Sequence, residues 1–138
     1  MVFSAVALAL AGCSAQPALP QPTTPPASVA PPADGGTYTT PREIVAKLQT
    51  AGVSCGDYTP IAAPIGALDR GQCQSGELVI STFAREGDVQ AQVELYQKVG
   101  EELDQSANVI AGLNWTIHTT DTADLDRAWK TLGGRHIQ

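Results

Sequence analysis

The stretch Glu77-Leu78-Val79-Ile80-Ser81-Thr82-Phe83 decides how the chain is read. Its β-branched and aromatic residues, led in by Ser75-Gly76, mark the second strand of a hairpin whose first strand covers residues 71–74. Leu78 and Ile80 point one way, Val79 and Phe83 the other. Apolar residues on both faces predict a central strand, with cover on at least part of its second face.

Helices flank this hairpin. Upstream, Thr40 is placed to cap a helix, Pro41 suits its first turn, and Glu43 completes a capping box. Ile44, Val45, Leu48 and Ala51 then share one face, and Gly52 supplies the stop. Downstream, Asp88 is the expected N-cap of a second helix, whose apolar line is Val89, Val93, Tyr96, Val99 and Leu103. A second hairpin follows, with strands at 108–111 and 115–119 and a turn near Gly112-Leu113-Asn114. Trp115 and Ile117 alternate with Thr116 and His118, which turns the tryptophan toward the core. A third helix opens at Asp121, with Asp124 and Asp126 near its positive end. Leu125, Ala128, Trp129 and Leu132 form its stripe and Gly133-Gly134 its end, and residues 135–138 make a closing edge strand.

The order α-β-β-α-β-β-α(-β) reads as an αββ unit used twice. It predicts an α+β domain of two layers, an antiparallel sheet with helices packed on one face. Residues 41–138 fit one such small domain.

The residues before it have a different character. Residues 14–40 hold seven of the ten prolines (17, 20, 22, 25, 26, 31 and 32) and one charge, Asp34. Such a composition buries too little apolar surface to offset chain entropy, so residues 13–40 are expected to be a disordered, semi-rigid tether. Ahead of it, residues 2–10 form an apolar run with the length of a signal-peptide core, too short to cross a bilayer. Leu10-Ala11-Gly12-Cys13 follows, and this arrangement resembles the lipobox of bacterial lipoprotein signal peptides. The resemblance implies cleavage between Gly12 and Cys13, removal of residues 1–12 and a diacylglycerol on the Cys13 sulfur. Two acyl chains suffice for stable anchoring, at about 0.8 kcal/mol per buried methylene. Secretory signals open with Lys or Arg, and residues 1–4 carry neither, so the natural chain is expected to begin upstream. The alternative, an apolar N-terminal helix with a buried Cys13, lacks amphipathic spacing.

With Cys13 spent on lipid, Cys55 and Cys73 remain for each other, and outside the cytoplasm such a pair oxidises. The enclosed residues 56–72 include Gly56, Pro60, Pro64, Gly66 and Gly71, so little regular structure is expected there. A reactive or metal-binding pair would want CxxC spacing and a nearby histidine.

Fourteen acidic against eight basic residues leave a net charge of −6. That balance argues against nucleic acid and against attraction to anionic lipid. No catalytic constellation emerges. His118 and His136 lack metal-ligand spacing and read as surface residues. Asp121 and Asp124 read as capping carboxylates rather than a cation site. Glu101 and Glu102 diverge on their helix, and no GxSxG elbow, SxxK pair or phosphate loop is present. No metal and no cofactor are expected. Trp115 or Tyr58 near the disulfide loop would line a shallow pocket; burial of Trp115 and Trp129 in the core is the alternative favoured by their size.

The whole pattern, from the lipobox through Ala51-Gly52-Val53-Ser54-Cys55, Gly71-Gln72-Cys73 and Gly112-Leu113-Asn114-Trp115 to Leu132-Gly133-Gly134, resembles the small secreted lipoproteins of high-GC Gram-positive bacteria. The resemblance implies attachment to the outer face of the cytoplasmic membrane through Cys13, and it supports the Cys55–Cys73 pairing. The expected function is a monomeric, non-catalytic binding module of the cell envelope, with a protein or glycan partner. Such a module would show an exposed apolar or aromatic patch on its acidic surface. The alternative is a small extracytoplasmic hydrolase or metal-dependent enzyme with a non-standard site.

Overall fold

The structure is a computed structural model and describes residues 29–74 and 77–138. The lipobox, with Gly12 and Cys13, and the Ser75-Gly76 turn lie outside the described residues. The elements run α1 (Pro41–Thr50), β1 (Thr59–Pro60), β2 (Ala67–Cys73), β3 (Leu78–Phe83), α2 (Glu86–Leu103), β4 (Val109–Ala111), β5 (Trp115–Thr119), α3 (Thr122–Leu132) and β6 (Arg135–Ile137). The six strands form one sheet in the order β1-β2-β3-β5-β4-β6, antiparallel at every pairing. The domain is α+β, as the sequence predicts, and Leu78–Phe83 is indeed an interior strand.

The register explains the layers. Ile80 lies opposite Ile117, which lies opposite Ile110, so these three share a face. They pack with Ile44, Val45 and Leu48 of α1 and Leu125, Ala128 and Leu132 of α3. Alternate residues Val109 and Ala111 face the other way and pack with Phe83 and with Val89 and Val93 of α2. The helices therefore divide between two faces, and the expectation of a single helical face is corrected for α2. The cause is visible in the strands, where period-2 alternation leaves apolar side chains on both sides of β3 and β4. Each fully buried Leu, Ile or Val contributes about 1.5–3 kcal/mol.

Trp115 is wholly buried. Its indole Nε1–H donates to the Gly35 carbonyl at 3.1 Å, and Tyr38 meets the ring edge-on at 5.9 Å between centroids. Asn114 brackets Tyr38, accepting its backbone N–H at 2.9 Å and donating to its carbonyl at 2.8 Å. The Leu113 N–H donates to Gly36 O at 3.2 Å. Gly35 has φ +75°, and a Cβ there would stand 2.9 Å from both Gly112 and the Trp115 ring, so only glycine fits. Packed chain thus begins ahead of the Pro41 boundary drawn from composition: residues 35–38 are a strap across the β4–β5 turn.

Cys55 and Cys73 form a disulfide with 5.0 Å between their Cα atoms, and both are buried in the core shared with α1 and α3. The enclosed segment holds more structure than its glycines and prolines suggest. It contains β1 and most of β2, because pairing with β3 satisfies the backbone from Ala67 onward. Gln74 ties this loop to α3: its N–H donates to Asp57 Oδ1, and its side-chain amide reaches Ser54 O and Asp124 Oδ2.

Helix ends follow the sequence unevenly. Asp121 caps α3, accepting from the N–H groups of Ala123 at 2.8 Å and Asp124 at 3.0 Å. Thr40 occupies the N-cap of α1 without a side-chain bond, while Glu43 reaches back to the Thr39 N–H at 3.0 Å. α2 starts at Glu86 rather than at an Asp88 cap, and the Asp88 carboxylate is instead engaged by the Arg85 guanidinium at 2.9 and 3.0 Å.

Candidate functional site

α2 carries two apolar lines. Val89, Val93 and the partly buried Tyr96 sit over the sheet, and Gly100 closes against the chain at 105–107. The expected continuation through Val99 and Leu103 is corrected: these are 42% and 61% exposed, and Leu95 is 52% exposed. Gly100, having no side chain, lets the returning chain approach and so takes the buried position that Val99 would have held. Leu95, Val99 and Leu103, four residues apart, form a ridge along one flank of the helix.

Below that ridge is a groove of 580 Å³, with Tyr96, Val99 and Leu103 on its helical wall and His118, Asn108 and Thr120 on its sheet side. β5 delivers His118 to this face because it pairs with Val109 of β4 and Val79 of β3. The Tyr96 and His118 rings stack with centroids 4.6 Å apart and planes 2° from parallel. Arg70 of β2 completes the cluster, its charge acting on both Tyr96 and His118, and its Nε is buried without a hydrogen-bond partner among the described residues.

The electrostatics follow from burial. Desolvation raises the Tyr96 phenol above its ordinary value, against the opposing effect of the Arg70 charge and of hydrogen bonds with Arg70 and Gln92. Desolvation lowers the His118 pKa, and the Arg70 charge lowers it further. The imidazole is therefore neutral at pH 7. The site offers an apolar wall, a flat aromatic stack and the hydroxyl and amide groups of Thr120 and Asn108.

The remaining sequence-predicted residues are not gathered there. Asp124 is buried at the start of α3. Burial raises its carboxyl, but hydrogen bonds from Gln74 and Arg127, with the Arg127 charge, outweigh this and hold it below the ordinary aspartate value. His136 lies 5.5 Å from Trp129 at a tilt of 35°. Trp129 is 40% exposed rather than in the core, and its Nε1–H donates to Gly134 O at 3.0 Å. Beside Trp129 is a smaller pocket of 320 Å³ that also touches Pro31 and Ala33. Tyr58 lies against Gly71 with the Arg42 guanidinium 4.6 Å above its ring. Among the described residues no three His, Cys, Asp or Glu side chains are placed to hold a metal ion, and no helix is long and apolar enough to cross a membrane.

Sequence reasoning placed His118 on a polar surface and Val99 and Leu103 in the core. The signal that separates them is the double stripe: Leu95-Val99-Leu103 repeats at four residues beside the 89-93-96-100 line. No protein-family model, curated protein or solved structure matches the chain.

Proposed function

We propose that the protein is a lipid-anchored lipoprotein on the outer face of a bacterial cytoplasmic membrane, and that its folded part is a non-catalytic binding module of the envelope. The observation that carries the binding reading is the exposed ridge of Leu95, Val99 and Leu103 beside the Tyr96–His118 groove, on a molecule of net charge −6. The anchoring half rests on Leu10-Ala11-Gly12-Cys13. A small hydrolase would draw on the same groove, where Tyr96 and His118 converge. Their rings cover one another face to face, however, and the hydrolase reading leaves the apolar ridge without a role.

The test is a photo-crosslinking residue at Val99, compared with one at exposed Thr50 of α1, in the native host. A discrete envelope adduct at Val99 and none at Thr50 is expected. Equal labelling from both positions, or from neither, would sink the binding reading.

A further inference from the structure

We infer that the second face of the sheet, beside α2, docks a cationic amphipathic helix of a partner protein; this rests on the binding-module reading and names the partner's chemistry. Six strands spaced about 4.8 Å apart span about 24 Å, and a helix with its side chains is about 10 Å across, so each face has room for two. The first face carries two, α1 over β3 and β2 and α3 over β5 and β4. Among the described residues the second carries α2 alone, which packs on β4, β5 and β3.

The ridge stands on the side of α2 that borders the uncovered strands. Gln90, on the other flank, is held by Arg135 of β6 at 3.1 and 3.2 Å, which fixes which side of the helix faces which edge of the sheet. Gly66, in the loop before β2, lies against Asp88 of α2, so the fully exposed Ile65 stands at the N-terminal end of the same side. The floor next to the ridge consists of Arg70 and Gln72 of β2 and Val79 of β3, all half-buried, with Gln72, Val79 and His118 in one cross-strand row. An i±4 ridge such as Leu95-Val99-Leu103 is what a second helix receives in its grooves, at a crossing near −50°.

Charge selects the kind of helix. Glu102 is exposed beside the ridge, and the exposed Glu77 joins it across the groove, where its carbonyl accepts the Thr120 N–H at 3.4 Å. Arg70 is the cation of the floor, and its charge acts on Tyr96 and His118. A like-charged second copy would set acidic α2 against acidic α2, and an anionic bilayer would meet the same carboxylates. A helix with leucine-type anchors and a lysine- or arginine-rich flank satisfies both the ridge and its rim, in the helix-in-groove mode.

The probe is a fluorescein-labelled 18-residue peptide of leucine and lysine, with leucines at i, i+3, i+4 and i+7 spacing, titrated with the full chain. The expected result is binding at least tenfold tighter than a scrambled peptide of the same composition, and no binding of the leucine/glutamate counterpart. Val99→Asp should weaken the Leu/Lys complex tenfold or more although it adds an attractive charge, whereas Thr50→Asp should leave it unchanged. Circular dichroism of both variants checks that they fold. Equal affinity for the scrambled peptide, indifference to Val99→Asp, or no binding overturns the proposal. So does a dimer of the chain, or adsorption to phosphatidylglycerol vesicles, that Val99→Asp abolishes. If Val99 crosslinks in the envelope but the Leu/Lys peptide fails, the partner chemistry is wrong and the binding module stands.

Discussion

His118 has a neutral ring under Tyr96 and a cation, Arg70, near it, and each discourages a second proton. A folded-state pKa below the free value near 6.5 has a definite thermodynamic sign. Above that pH neither state holds the proton, and the native state keeps its full stability. As pH falls below it, the unfolded chain binds a proton that the native imidazole refuses, and stability drops. Replacing the ring with one that stacks but does not titrate separates this effect from the carboxylates and from His136. His118→Phe should show a flatter fall in urea midpoint between pH 7 and 5 than the native protein, and parallel curves would mean that His118 is not held neutral. Single residues with a local role were legible in the sequence: Asp121 as a cap, Trp115 as core, Gly133 as a helix end. His118 was not, because its surroundings come from α2 and β2, and strand alternation alone marks it only as opposite to Ile117.

Among the elements, the loop closed by Cys55 and Cys73 has the most to lose. It carries β1, most of β2 and Tyr58, and Gln74 holds its far end to α3. In the chain-entropy model a loop of this length is worth about 3 kcal/mol. Cys55→Ala/Cys73→Ala should lower unfolding free energy by about that amount in urea titration; a loss under about 1 kcal/mol would show that the packing holds the loop without its crosslink. The pairing was legible from cysteine number, whereas β2 was read four residues short. Ala67, Leu68, Asp69 and Arg70 have little strand character of their own and are extended because β3 offers them partners. α2 was found by its period, but its rotation was misjudged: a glycine counts for nothing in an apolar stripe, yet Gly100 is the position that the fold buries.

For the whole molecule, the α+β class and the antiparallel sheet were legible, since they follow from element order and strand patterning. The division of helices between faces was not, because an amphipathic helix packs equally well on either side of a sheet whose central strands are apolar on both. The proposed attachment to the membrane belongs to this scale too, and it rests on one atom of the chain, the Cys13 sulfur. Cys13→Ser should move the protein from the membrane fraction to the soluble one in the native host and remove its acyl mass; retention on the membrane would overturn the lipobox reading.

The strap at 35–38 has a mechanical consequence. It is held by the Gly35–Trp115 bond to the first residue of β5, and by the two bonds of Asn114 to Tyr38 and one from Leu113 in the β4–β5 turn. Tension arriving from the N-terminal side meets these few bonds before it reaches α1. Yielding there pays out the chain ahead of α1, about 3.5 Å for each residue released. In the proposed anchored lipoprotein, the Trp115 indole and its glycine clasp would therefore give way ahead of the disulfide-bonded body.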